Sequence, residues 1–314
     1  MNARPEPSSL IERLFAGEAA ALARAISLVE NEASAAQDIL KMTQPKLGRA
    51  MLVGFTGSPG VGKSSLVNAY IRELRARGKT VGVVAVDPSS PLTRGAILGD
   101  RIRITDCAAD PDVFIRSLAA RGNVGGLSPA AARVVDVMDA AGKDVVILET
   151  VGAGQSEVEV AEVAHVKIVV SAPGLGDGVQ AIKSGILEIA DILVVNKADL
   201  PGADHTQDQL RRMLKLRRTE LPSVPLLPTC ASTGEGIAVL ADAVEACFKA
   251  NSRAGRVDPL LRARRVLANS AAAAAKRWVI ESDDPRMIAL SEALQRGELG
   301  ADEAARSLLE MTYD

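Results

Sequence analysis

The spacing of apolar residues changes along the chain, and the changes divide it. Residues 8–44 carry helical spacing: Leu10, Ile11 and Leu14, then Leu22, Ala25, Ile26 and Val29, and Ile39-Leu40 beyond a break at Asn31–Ala33. This predicts two helices ending near Gln44-Pro45, with Ser8 or Ser9 and Glu12 as a capping signal. From residue 51 the pattern becomes short Val/Ile/Leu-rich runs without polar alternation, at 51–56, 80–86, 144–149, 166–171, 191–195 and 225–229, with helical stretches between them. Runs of this kind are strands buried on both faces, so the expected fold is α/β, a mostly parallel sheet flanked by helices. The last section is helical again. Leu260-Leu261, Val266-Leu267 and an alanine run lead to Trp278-Val279-Ile280, then Met287 to Leu294 follow Asp283-Asp284-Pro285, and a final helix covers about Ala301–Met311. Its exposed alanines and mixed charges fit a solvated cap or an oligomer contact equally. Three parts are expected: an N-terminal helical extension over 1–47, a sheet domain over 48–252, and a C-terminal helical extension over 253–314 as a possible dimerisation element.

Composition narrows the setting. Of 314 residues 24% are charged, and the formal net charge is −2, which offers no electrostatic footprint for nucleic acid or a membrane surface. Aromatics are only 2%, so the core must be built from Ala, Val, Leu and Ile. No apolar run approaches the roughly 20 residues that span a bilayer. Met1 to Ser9 is polar, holds two prolines and lacks a signal-peptide apolar region. Cys107, Cys230 and Cys247 form no close-spaced pair, which suggests neither a disulfide framework nor a thiolate metal site. A cytoplasmic protein is expected.

The chemistry gathers around Gly57-Ser58-Pro59-Gly60-Val61-Gly62-Lys63-Ser64, between the first strand run and the helical face that begins at Ser65. This is G-x-x-x-x-G-K-S in the context the motif requires. Glycines let backbone N–H groups approach phosphate oxygens closely, and the helix N-terminus behind adds partial positive charge. Lys63 should reach the β- and γ-phosphates, and the Ser64 hydroxyl should ligate Mg²⁺. Each further motif also follows the carboxyl end of a strand, where ligands of open parallel sheets bind.

After the second run, Asp87-Pro88-Ser89-Ser90 through Gly99-Asp100 is too rich in Pro, Gly and Ser to be regular. Asp87 and Asp100 flank it as candidate Mg²⁺ ligands, direct or through water; the plainer alternative is a capping Asp87 and a solvated Asp100. Glu149 ends a buried strand, with Gly152 three positions later. That spacing fits an acidic residue in the Mg²⁺ shell or orienting water, and a backbone amide that senses the γ-phosphate. Asn196-Lys197-Ala198-Asp199 reads as N-K-x-D, in which a carboxylate accepts the paired donors of guanine that adenine lacks. Cys230, Ala231 and Ser232 after the last strand complete the base loop, with a backbone N–H near Ala231 facing the base oxygen. The expected ligand is therefore GTP or GDP. Ser171 to Lys183 forms another Gly-rich loop, in which Asp177, Gln180 and Lys183 suggest a nucleotide-responsive segment and Lys183 is a candidate for transition-state charge; a simple connection with solvated charges is the alternative. His165 and His205 are isolated, and neither is expected to act in catalysis or metal binding.

Taken together, these residues resemble the MeaB/ArgK family of P-loop GTPases, which includes the human methylmalonic aciduria type A proteins. The match runs over roughly 8–250 and includes Leu22 to Glu30, Asp87-Pro88-Ser89-Ser90, Ile97 to Asp100, Glu149 to Gly152, Gly154 to Glu157 and Gly176 to Lys183. The resemblance implies a signal-recognition-type (SIMIBI) GTPase core, a homodimer, GTP with Mg²⁺, and slow hydrolysis stimulated by a partner. That partner would be a cobalamin-dependent acyl-CoA mutase on a separate chain, with an adenosyltransferase involved indirectly and no cobalamin bound by this chain. The implied task is to gate cobalamin delivery and protect the mutase. Lys63 would be the phosphate-loop lysine; Ser64, Asp87, Asp100 and Glu149 would surround metal and water; Asn196, Lys197 and Asp199 would hold guanine. Arg94 stands where the family has a glycine, Gly178 where it has a glutamate, and Ala153 where valine is common. A nickel-type metallochaperone GTPase is the alternative on a similar core, although scattered His and Cys oppose it. A kinase in amino-acid transport is another, opposed by the guanine motif.

Overall fold

The computed structural model describes residues 7–31, 33–87, 107, 109–119, 129–150, 163–174, 186–216, 223–254 and 258–311. Its centre is a seven-stranded sheet, all parallel: β1 (Met51–Thr56), β2 (Val81–Asp87), β3 (Val113–Ala119), β4 (Val145–Thr150), β5 (Val166–Ser171), β6 (Ile192–Val195) and β7 (Leu226–Pro228). The spatial order is β3-β2-β4-β1-β5-β6-β7. Strands β2 to β4 lie on one side of β1 and β5 to β7 on the other. The winding therefore reverses at β1, which opens a crevice beyond its carboxyl end.

Alternate residues of the inner strands feed two cores. Val53, Phe55, Val145, Ile147, Val166 and Ile168 pack with the helix α4 (Lys63–Ala76) on one face. Leu52, Val146 and Leu148 pack on the other with α5 (Pro129–Ala140) and the N-terminal helices. Both faces are covered, which explains why these strands read as unbroken apolar runs.

The N-terminal segment forms three helices rather than the expected two: α1 (Pro7–Phe15), α2 (Ala19–Glu30) and α3 (Ala36–Thr43). The additional break falls at Gly17, whose φ of 81° suits glycine at a helix end. Helix α1 starts at Pro7, so Ser8 and Ser9 lie within its first turn rather than at its cap. These helices join the sheet's core, and a buried carboxylate fastens their exit: Asp139 accepts from the backbone N–H groups of Gly48 (2.7 Å), Arg49 (3.1 Å) and Ala50 (2.9 Å).

Strand β3 is absent from the expected strands. It is an edge strand, and Arg116 and Ser117 interrupt its apolar residues; Arg116 is tied to Glu30 of α2 through Nε at 3.1 Å. Among the described residues the remaining α-helices of the sheet unit are α6 (Ile186–Ile189), α7 (Ala203–Leu216) and α8 (Ile237–Arg253). By its contacts the chain divides between Pro259 and Leu260. The C-terminal unit holds α9 (Pro259–Glu281), α10 (Pro285–Gln295) and α11 (Ala301–Met311). Asp284 caps α10 by accepting from the Arg286 amide at 2.9 Å, with Pro285 at the first helical position. Among the described residues no helix is long and apolar enough to cross a membrane.

Candidate functional site

The loop between β1 and α4 lies in the crevice that the winding reversal creates. Gly57 has φ 145°, and a Cβ there would lie 2.1 Å from the Val170 carbonyl oxygen, so this glycine lets the loop press against β5. Gly62 has φ 88° and stands at the cap position of α4, where a Cβ would meet the Asn196 amide nitrogen at 2.6 Å. Pro59 and Gly60 form the exposed tip. Lys63 is buried, and its ammonium donates to the carbonyls of Gly57 (2.6 Å) and Ser58 (3.0 Å). The lysine thus curls over its own loop, among backbone groups a phosphate would engage. Ser65 is exposed on the first helical turn.

Beside the loop, the Ser64 hydroxyl donates to Glu149 Oε1 at 2.7 Å. Glu149 sits one residue from the end of β4, adjacent to Phe55 of β1, and is 7% exposed. One strand position on, Thr150 Oγ1 donates to Thr56 Oγ1 at 3.3 Å and ties the ends of β4 and β1. This pair was missed from sequence because threonines at strand ends are ordinary. Asp87 closes β2 on the same edge of the sheet, but its side chain lies outside the described residues, as do Asp100, Gly152, Asp177, Gln180 and Lys183. Arg94, Ala153 and Gly178 lie outside them too. Among the described residues no group of three or more His, Cys, Asp or Glu side chains gathers where a metal ion could sit.

The third part of the site follows β6 and β7. Asn196 is 1% exposed, and its amide nitrogen donates to the Val61 carbonyl at 2.9 Å. Its Oδ1 accepts from the Ala231 backbone N–H at 3.2 Å and from Thr229 Oγ1 at 3.3 Å. The side chain therefore joins phosphate loop to base loop. The Ala231 amide, expected to face the base oxygen, is taken by Asn196. Lys197 is the single non-glycine residue with positive φ (56°) among those described, and its Nζ donates to the Gly60 carbonyl at 2.8 Å. Asp199 is exposed, and one of its oxygens accepts from the Cys230 thiol at 3.0 Å, which in turn lies 3.1 Å from Ser232 Oγ. His165 serves the framework: its Nδ1 accepts from the Leu52 amide at 3.1 Å, below the opposite end of the sheet.

A parallel sheet wound from a central β1, a glycine loop capped by Lys63 and Ser64, and an N-K-x-D turn bonded to that loop define a P-loop GTPase of the SIMIBI class. The family model described as "Methylmalonyl Co-A mutase-associated GTPase MeaB" matches residues 22–280, and the chain belongs to that family. It is 46% identical over 259 residues to the "Putative GTPase PH0274" of Pyrococcus horikoshii, covering 81% of this chain and 82% of the relative. It is 41% identical over 232 residues to the "GTPase ArgK" of Escherichia coli, covering 71% of this chain and 70% of that one. Among solved structures, one described as "LAO/AO transport system kinase" superposes with a TM-score of 0.74 at 27% identity, covering 100% of both chains. The protein is a GTP-hydrolysing enzyme that binds guanine nucleotide.

Proposed function

We propose that this GTPase uses its cycle to gate adenosylcobalamin loading of a separate cobalamin-dependent acyl-CoA mutase, of the methylmalonyl-CoA type or a close relative, and to protect that mutase. The observation that carries the proposal is the family match through residues 22–280, whose description names such a mutase. In this reading the amides of the 57–62 loop cradle the phosphates. Lys63 exchanges its bonds to Gly57 and Ser58 for phosphate oxygens. Asp199 reads the guanine edge and Lys197 flanks it. Ser64 and Glu149 are both hard oxygen donors and stand 2.7 Å apart beside the phosphate loop, a donor set suited to Mg²⁺. Ser64 would hold the ion directly and Glu149 through its water shell, with Asp87 and Asp100 as further candidates. When bound, the ion neutralises charge that develops on the β- and γ-phosphates. Glu149 is also the described carboxylate best placed to orient an attacking water. Asp177, Gln180 and Lys183 are proposed to answer to the partner, the Gly152 amide to sense the γ-phosphate, and the C-terminal helices to form a homodimer in the cytoplasm.

The test is GTP hydrolysis with and without methylmalonyl-CoA mutase and related acyl-CoA mutases, with ATP as control. Stimulation of GTP turnover by one mutase, absent with ATP, is expected. A rate indifferent to every mutase refutes the partner while leaving the nucleotide site in place. Lys63→Ala should abolish turnover and weaken GTP binding, since ground-state and transition-state contacts are lost together.

A further inference from the structure

Between α4 and the loop after β7 lies a cleft of about 360 Å³, walled by Ala69, Arg72 and Glu73 on one side and by Ser232 and Thr233 on the other. It adjoins the base-reading turn. Ser232 Oγ lies 3.1 Å from Cys230 Sγ, which lies 3.0 Å from Asp199 Oδ1, so the cleft begins two short contacts from that carboxylate. Side chains of an α-helix lean toward its N-terminus, and α4 begins at the phosphate loop. Arg72 is therefore directed back along the cleft toward the nucleotide site. Ala69, one turn nearer that end, presents only a methyl group and leaves the path open.

Arg72 is exposed, and among the described residues it has no hydrogen-bond or ion-pair partner. Its neighbour Glu73 is engaged elsewhere: the carboxylate accepts from Arg77 Nε at 2.8 Å, and Arg77 also donates to Asp242 at 2.7 Å. The wall thus carries one free cation and one fixed anion. The fixed carboxylate disfavours a phosphate group in the cleft, and the pair together suit a neutral, polarisable occupant. A purine ring is such an occupant. Bases commonly stack on aromatic side chains, but none lines this cleft among the described residues. A guanidinium offers a planar face of its own, with a positive charge that a π-system attracts.

We infer that this cleft receives one face of the guanine ring and that Arg72 is a nucleotide-binding residue whose guanidinium stacks on that face. The inference rests on the assignment of Asp199 as the base-reading residue. Stacking depends neither on the number of phosphates nor on the exocyclic amine, which separates it from a contact to phosphate or to the base edge.

The experiment measures GTP, GDP and ITP dissociation constants for full-length wild type, Arg72→Ala, Arg72→Lys and Asp199→Asn, with urea midpoints as the check on folding. Arg72→Ala should weaken all three nucleotides by the same factor, about fivefold, at an unchanged midpoint. Arg72→Lys keeps the charge without the planar face and should leave most of that loss in place. A loss in Arg72→Ala that is larger for GTP than for GDP would mean a phosphate contact. A loss for GTP that spares ITP would mean an edge contact, and full recovery in Arg72→Lys a charge effect without stacking. Each of these overturns the inference, as does an unchanged affinity for all three nucleotides. If Asp199→Asn keeps the GTP-over-ITP preference of wild type, the base-reading assignment itself fails, and the inference fails with it.

Discussion

Asn196→Ala tests whether one side chain couples the two halves of the nucleotide site. Three hydrogen bonds of 3.3 Å or shorter depend on this amide, to the Val61 carbonyl at 2.9 Å, from the Ala231 N–H at 3.2 Å and from Thr229 Oγ1 at 3.3 Å, with a longer fourth to the Gly62 carbonyl at 3.4 Å. Val61 is 0% exposed and Ala231 7%, so water does not readily replace the lost partner. At about 1 kcal/mol for each bond, the substitution should cost about 3 kcal/mol, and more if the backbone groups stay dry. That is substantial but less than a typical domain stability of roughly 5–15 kcal/mol, so the sheet unit should still fold. Asn196→Asp separates shape from polarity. It keeps the acceptor for Ala231 and Thr229 but sets a carboxylate against the carbonyls of Val61 and Gly62, and should be at least as damaging. Urea unfolding followed by far-ultraviolet circular dichroism gives the stability. Trp278 is a poor probe here, because it lies in α9 of the C-terminal unit. Titration with a fluorescent GDP gives the binding loss, which should exceed that of a variant affecting the base alone. A stability within about 0.5 kcal/mol of wild type, the range of an ordinary surface substitution, with normal GDP binding would refute the reasoning.

Three other outcomes follow from single sites. Gly57→Ala drives a Cβ to within 2.1 Å of the Val170 carbonyl, whereas Gly17→Ala shares a positive φ but meets nothing within 4 Å; only the former should lower GTP affinity, by on the order of tenfold or more, read by nucleotide titration. Tyr70 has a buried hydroxyl with no partner among the described residues, and burial, aided by the charge of Glu245, holds its pKa well above the ordinary 10.0. The neutral phenol's stabilisation is thus complete below pH 10.0 and lost as pH rises above it; absorbance titration should show Tyr70 ionising only on unfolding. Tyr70→Phe keeps the ring 5.6 Å from Phe55 and should be neutral or stabilising by up to about 1 kcal/mol; a loss of about 2 kcal/mol would refute this. Asp110 is held below the ordinary 3.8 first by the Arg75 hydrogen bond and then by the Asp112 amide. Its contribution is present above 3.8 and lost as pH falls through the lower folded value, so Asp110→Asn and wild type should converge in urea midpoint as acid is added.

The motifs were legible because their chemistry restricts residue type at fixed spacing. Close backbone approach at Gly57 and Gly62 admits only glycine, and paired donors on a base call for a carboxylate at Asp199. The inner strands were legible because coverage of both faces makes them uniformly apolar. What escaped was whatever depends on partners distant in the chain. β3 carries Arg116 in mid-strand, tolerable only because the strand is at the edge and Glu30, 86 residues away, meets the guanidinium. Asn196 reads from sequence as a guanine ligand, and its further bonds to Val61 and Ala231, 135 and 35 residues distant, are announced by no local pattern. The same holds for the thiol of Cys230 behind Asp199, 31 residues apart. Such contacts form only after the sheet has aligned the carboxyl ends of β1, β6 and β7. The spacing of β1, β5 and β6 in the sheet therefore sets the distance between the phosphate loop and the base-reading turn, and Asn196 locks it. The two loops are thereby joined by hydrogen bonds through one buried side chain.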